Sequence, residues 1–180
     1  ISLFWFDHGW FWFIPLADGT TSVGAVCWPY YMKSRKSDPR SFFLETIALC
    51  PALADRLRSA SLTSPVTATG NYSYHVKRAA GERYLLLGDA FTFIDPVFST
   101  GVLFAMHSGF VGADTVEACL ADPRKAARAL KAFDASMHRG PKVFSWFIYR
   151  LTTPAFRNLF MRPRNKKLQE AVLSVLAGDV

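Results

Sequence analysis

Between Gly88 and Gly101 the chain reads GDAFTFIDPVFSTG, and the residues at its two ends carry distinct chemistries. Asp89 follows the apolar run Tyr84-Leu85-Leu86-Leu87, which reads as a buried strand delivering a carboxylate at its carboxyl end. Ligands of open α/β sheets bind beyond strand ends of this kind. An ionised Asp accepts hydrogen bonds from two hydroxyl groups, as on a ribose or ribityl chain. Gly88 lets backbone or ligand approach closely. The stretch closes on Ser99-Thr100-Gly101, where a helical pattern begins. Helix starts leave N–H groups without acceptors and carry the positive end of the dipole, so they suit anions or developing negative charge. Pro96 fixes the backbone between the two ends. A loop of this length inside a compact domain is uncommon unless it holds something. The plainer alternative is a tight strand–helix crossover with Asp89 as a local cap.

Those residues need elements to position them. Trp10 to Leu16 and Thr20 to Trp28 read as the strands of a hairpin around the turn signal Asp18-Gly19. Ser37 or Asp38 can cap a following helix with Pro39 at its first position, and Pro51 breaks or restarts it. Residues 61–82 alternate and turn, and lead as one or two strands into Tyr84-Leu85-Leu86-Leu87. Beyond Gly101 an apolar stripe of Val102, Leu103, Ala105, Met106, Val111 and Val116 predicts a helix. Asp122-Pro123 starts another, Gly140-Pro141 punctuates it, and two further helices follow around a Met161-Arg162-Pro163-Arg164 turn. The plan is α+β with one α/β crossing: sheet first, helices last, and one strand–loop–helix passage between them.

Composition sets outer limits. The 180 residues are 51% hydrophobic and 19% charged, a balance that buries a core and argues against disorder. The formal charge of +7 includes a cluster of Arg157, Arg162, Arg164, Lys166 and Lys167. That cluster reads as a solvated face, or as a surface for an acidic partner. No nucleic-acid-reading motif is present. Cys27, Cys50 and Cys119 are odd in number and far apart, so they read as reduced core residues of a cytoplasmic protein. His8, His75, His107 and His138 form no metal-ligand grouping, and no run reaches the length of a membrane span. The chain opens on Ile1 directly in strand-like sequence, which reads as a fragment lacking an N-terminal part.

YLLLGDAFTFIDPVFSTGV resembles the second FAD-binding motif of the group A flavoprotein monooxygenases, in the version found in flavin-dependent halogenases of the tryptophan-halogenase branch. Upstream, Trp10-Phe11-Trp12-Phe13-Ile14-Pro15 is similar to the W-x-W-x-I-P signature of those halogenases, and the ending AVLSVLAGDV resembles their C-terminus. The resemblance implies the C-terminal part of such a fold: residues 1–80 on the substrate side, 81–120 as the strand–loop–helix of the FAD domain, and 121–180 as a helical region. It implies that Gly88, Asp89, Pro96, Ser99, Thr100, Gly101 and Val102 bind FAD, with Asp89 on the ribityl hydroxyls. It places a halide at the Thr100 and Gly101 amides. It gives Trp10 and Trp12 a catalytic setting between flavin and substrate, against which stands their packing as hairpin core. The implied activity uses reduced FAD, oxygen and halide to make hypohalous acid and halogenate an electron-rich aromatic. Its implied partners are a separate flavin reductase and an aromatic substrate, free or on an acyl-carrier protein. The G-x-G-x-x-G for the pyrophosphate and the family's catalytic lysine match nothing in this chain, so the chain alone is expected to be inactive. A flavin-dependent hydroxylase, a geranylgeranyl-reductase-like oxidoreductase and a non-catalytic interaction module are the rival readings.

Overall fold

The structure is a computed structural model and describes residues 1–70, 72–151, 153, 155–156 and 166–177. It divides into two compact units, Ile1–Gly70 and Asn71–Val180.

The first unit is built on an antiparallel meander: β1 (Ser2–Phe6), β2 (Gly9–Pro15) and β3 (Thr21–Cys27). The expected hairpin is present, with β1 added on the far edge of β2, Trp5 opposite Trp10. The reversal after β2 is wider than a two-residue turn. Pro15 pairs with Thr21, so five residues loop out. Asp18 organises them by accepting from the Thr20 backbone N–H at 2.9 Å and the Thr20 hydroxyl at 2.7 Å. Those two bonds hold its carboxyl below the usual aspartate range.

Strand alternation sorts the aromatics onto two faces. Phe6, Phe11 and Phe13 point to one side and pack on Cys50 and Leu53. The helices behind them are α1 (Pro29–Lys33), α2 (Pro39–Ala48) and α3 (Pro51–Arg56). The α2 cap is Asp38, which accepts from Arg40 N–H at 2.9 Å and Ser41 N–H at 3.2 Å, and Pro51 restarts the chain as α3. Trp10 and Trp12 lie on the opposite face of β2 from the phenylalanines.

The second unit sets short strand pairs against long helices. Its elements are β4 (Tyr74–His75), β5 (Ala80–Gly81), β6 (Tyr84–Leu85), β7 (Thr92–Phe93), α4 (Gly101–Ala121), α5 (Ala126–Leu151) and α6 (Lys166–Ala177). β4 pairs with β7, and β5 with β6, each antiparallel. Ala79, Phe91, Phe133 and Met137 form the core. Asp134 of α5 ties the core to the strands by accepting from Ala79 N–H at 2.6 Å.

Two sequence expectations change here. The Leu85-Leu86-Leu87 run is not a buried strand: only Tyr84 and Leu85 are paired, and Leu87 is 39% exposed. A strand is buried only when neighbours cover it, and among the described residues β5 alone pairs with this one. Gly140-Pro141 does not end a helix, because α5 runs through it. Proline inside a helix costs about 3 kcal/mol, and packing on α4 opposes that cost. Phe104 of α4 meets Phe144 edge-to-face with centroids 5.0 Å apart, and a Cβ on Gly140 would fall 2.7 Å from the Phe104 ring. The cluster positions Arg157, Arg162 and Arg164, and the turn at 161–164, lie outside the described residues, while Lys166 and Lys167 open α6. Among the described residues no helix is long and apolar enough to cross a membrane.

Candidate functional site

The loop from Gly88 to Thr100 is folded into two short 3₁₀ turns, Gly88–Ala90 and Pro96–Phe98, on either side of β7. Gly88 starts the first turn at φ 50, in the left-handed region. A Cβ there would also lie 3.0 Å from the Ala105 Cβ of α4, so both backbone conformation and close approach call for glycine. Its N–H donates to the buried Ser108 hydroxyl at 2.9 Å, which fixes the turn against α4. Asp89 comes next with its side chain exposed, and among the described residues its carboxylate accepts no hydrogen bond. The backbone carbonyl of Asp89 is held instead, by the Tyr74 hydroxyl. Sequence reasoning missed that anchor. The pairing of Tyr74 with Phe93 that brings them together covers only two residues and leaves no pattern in the sequence.

Asp95 is a second residue the sequence did not single out. It is the cap of the Pro96–Phe98 turn, accepting from Val97 N–H at 2.9 Å. Burial pushes its carboxyl above the usual aspartate range, against the opposing pull of that hydrogen bond. The Asp-Pro pair followed by a helix-like turn is the sequence signal for it. Ser99 then adopts φ 53, the one non-glycine residue with positive φ among those described. A left-handed residue at this point turns the chain from the 3₁₀ turn into α4.

Helix α4 begins at Gly101, where the sequence placed it. Thr100 is its N-cap residue but makes no side-chain capping bond. The first N–H groups of the helix therefore keep their donors and the positive dipole end available. A Cβ on Gly101 would have no neighbour nearer than Asp89 Oδ1 at 4.0 Å. One carboxylate without a partner among the described residues and one uncapped helix start thus lie side by side, at a glycine with open space over it. Such a pair can accept from hydroxyls at one point and hold negative charge at the next.

Gly88, Asp89, Pro96, Ser99, Thr100, Gly101 and Val102 all belong to this one loop and helix start in the second unit. Trp10 and Trp12 belong to β2 of the first unit. Trp10 is 2% exposed and sits between Trp5 and Trp12, with ring centroids 6.5 and 6.3 Å away. Trp12 lies over Gly24 of β3, and its indole N–H donates to the Ser22 hydroxyl at 3.2 Å. Both tryptophans thus pack within the meander, on the face of β2 opposite the phenylalanines, and their place in the structure is that of hairpin packing.

A cleft of about 510 Å³ opens in the second unit, lined by Tyr74, His75, Phe93, His138, Lys142 and Tyr149 among others. Several hydroxyls in its wall are already committed to backbone carbonyls: Ser73 to Ile94, Thr92 to Tyr74 at 3.0 Å, and Ser145 to Pro141 at 2.6 Å. His75 and His138 meet edge-to-face at 5.0 Å, and His138 Nε2 lies 3.9 Å from Asp134. The wall is therefore largely aromatic, with two imidazoles, an ammonium and the Tyr149 hydroxyl among its polar groups.

Comparison with known proteins places this architecture in one class. Residues 4–155 match the tryptophan halogenase family, and the chain belongs to it. A flavin-dependent halogenase of Armillaria mellea is 36% identical over 127 residues, covering 63% of this chain and 24% of that relative. A pyrrole-2-carbonyl peptidyl-carrier-protein chlorinase of Pseudomonas fluorescens is 28% identical over 174 residues, 95% of this chain and 38% of the relative. Among solved structures, the flavin-dependent brominase Bmp2 superposes with a TM-score of 0.83 at 25% identity, over 98% of this chain and 44% of that one. The myxobacterial chondrochloren halogenase CndH gives 0.74 at 28% identity, over 97% and 43%. The chain thus spans between a quarter and just under half of the length of these relatives.

Proposed function

We propose that the intact protein is an FAD-dependent halogenase acting on an electron-rich aromatic, and that this chain is the part that closes over the ribityl and ring end of the cofactor. The observation that carries the reading is the pairing of Asp89, whose carboxylate has no partner among the described residues, with the uncapped α4 start at Gly101, where a Cβ would lie 4.0 Å from Asp89 Oδ1. The residues present fit one half of FAD. Asp89 would accept from ribityl hydroxyls. Gly88 and Pro96 would hold the loop so that backbone, not side chain, meets the ligand. Ser99, Thr100, Gly101 and Val102 would bring N–H groups and the positive helix end to the flavin ring. The Thr100 and Gly101 amides would hold a halide, which needs only N–H donors and shelter from water. Reduced FAD with oxygen supplies the oxidising equivalent that converts halide to hypohalous acid. The protein's own work is to bind, orient and exclude water around that chemistry.

In this reading Trp10 and Trp12 would lie near the passage between flavin and substrate. The stretches 1–80, 81–120 and 121–180 serve the substrate side, the FAD element and a helical region. A separate flavin reductase supplies reduced cofactor, and the aromatic arrives free or tethered to a carrier protein, as the name of the Pseudomonas relative indicates for that protein. No G-x-G-x-x-G occurs in the 180 residues, so the pyrophosphate end of FAD has no seat here. Flavin titration tests the proposal. The intact polypeptide is expected to bind FAD at about micromolar strength or tighter, worth roughly 8 kcal/mol, and the chain alone far more weakly. An intact polypeptide that fails to bind FAD would overturn it.

A further inference from the structure

Helix α5 presents its cations in a single row. Arg128, Lys131, Arg139, Lys142 and Arg150 are all exposed and recur at helical spacing, with Ala135 and Trp146 filling the two gaps. At about 100° per residue the seven positions fall within one arc of roughly a quarter-turn. The row runs for about 33 Å at 1.5 Å per residue. The opposite side of the helix carries Phe133, Met137 and Ile148, all buried. Among the described residues no ion pair neutralises any of the five cations. Asp134 is the helix's only acidic residue, and it turns inward to Ala79 N–H and His138. Arg150 stacks over Trp146 at 3.7 Å, which stiffens the end of the row.

Lys142 belongs both to this row and to the wall of the aromatic cleft. From that shared residue we infer that α5 is the docking surface for an acidic carrier protein, whose tethered aromatic acyl group enters the cleft beside Tyr74, His75, Phe93 and His138. The inference rests on the halogenase reading above and adds the partner's seat. Charge complementarity of this kind steers encounter and fixes register. A cleft with an aromatic wall and few free polar groups suits an uncharged aryl thioester. A membrane surface fits less well. An interfacial helix inserts a continuous apolar face into lipid, whereas Phe133, Met137 and Ile148 of α5 are buried in the protein, and its exposed apolar side chains, Val143, Trp146 and Tyr149, sit among the cations Lys142 and Arg150.

The test compares two donors of one acyl group in the intact enzyme: pyrrole-2-carbonyl thioester on an acidic carrier protein, and the same acyl group on N-acetylcysteamine. Arg128→Glu and Lys131→Glu reverse charge on exposed positions that do not line the cleft. The double variant is expected to raise KM for the carrier-bound donor at least tenfold, a shift of about 1.4 kcal/mol. Its salt dependence should fall, and turnover of the small thioester should stay within about twofold, since surface changes of this kind are usually mild. Equal effects on both donors, or no effect on either, overturn the docking surface. So does a wild-type enzyme that halogenates the small thioester and ignores the carrier-bound one. Binding to vesicles of phosphatidylserine and phosphatidylcholine that is lost in the variant, with carrier kinetics unchanged, assigns the row to lipid and also overturns it. A wild-type enzyme that halogenates no aromatic donor at all counts against the halogenase reading itself, which separates the two failures.

Discussion

Asp89→Ala in the intact enzyme is expected to weaken flavin binding without unfolding the protein. The structure supplies both halves of that expectation. The Asp89 side chain is exposed and its carboxylate takes no hydrogen bond from the described residues, so the protein loses no network with it. The Tyr74 hydroxyl holds the backbone carbonyl, which the substitution leaves in place. A surface change away from a cap, core or strained backbone costs within about 0.5 kcal/mol. On the ligand side, a hydrogen bond to a charged acceptor is worth about 1.5–3 kcal/mol. With tenfold in affinity for every 1.4 kcal/mol, losing one such bond weakens FAD by roughly 10- to 150-fold. Flavin fluorescence titration gives the affinity, and thermal melts of the flavin-free protein give the stability. A variant with wild-type flavin affinity and a melting temperature lowered by many degrees would refute the reasoning and make Asp89 a structural cap.

Three further outcomes follow from the same loop and from the first unit. Gly101→Val should crowd flavin and halide and lower halogenation at least tenfold, about 1.4 kcal/mol, while leaving the melting temperature in place. A Cβ there meets no atom nearer than 4.0 Å; Thr100→Val, which keeps the N–H and removes a hydroxyl that caps nothing, should be milder, and the reverse order of effects would count against a backbone halide site. Asp95→Asn keeps an acceptor for Val97 N–H but cannot ionise. Burial raises the native Asp95 pKa, so the native state holds the proton more strongly than the unfolded chain, and stability present below the ordinary aspartate value falls as pH rises toward the raised one. The variant should lose that fall, and urea melts at acidic and neutral pH check it; an Asn variant less stable than wild type at neutral pH contradicts it. Cys27 is held by burial at about 11, so its thiol should resist iodoacetamide at neutral pH and react as the medium becomes strongly alkaline, and rapid neutral labelling seen by peptide mass spectrometry would contradict that.

The parts of this molecule that were legible in its sequence are those where local chemistry and local structure coincide. The start of α4 at Gly101, the cap at Asp38 and the restart at Pro51 each depend on one or two residues acting on their immediate backbone. The hairpin was readable from strand alternation, and the two tryptophans and the phenylalanines sort to opposite faces as period two requires. What failed depends on distant partners. Tyr84-Leu85-Leu86-Leu87 has the composition of a buried strand, yet pairing decides whether a strand exists, and β5 covers only two of its residues. Gly140-Pro141 carries a local signal to stop, and Phe104, from a different helix, overrides it. The Tyr74 anchor joins residues 15 apart through a two-residue pairing too short to show as a pattern. The cation row on α5 was hidden by reading Gly140-Pro141 as a break, since Arg128 and Arg150 share a face only on one continuous helix.

The central claim is that the uncapped α4 start at Thr100 and Gly101 serves a halide as well as a flavin. Product analysis by mass spectrometry tests it most directly. The intact enzyme is supplied with reduced FAD, oxygen and an electron-rich aromatic, with chloride and bromide either present or withheld. The account predicts product carrying chlorine or bromine when halide is present, and no product when both halides are withheld. Hydroxylated product formed at the same rate in the absence of halide would contradict it, and would leave a flavin monooxygenase whose helix start serves the flavin alone.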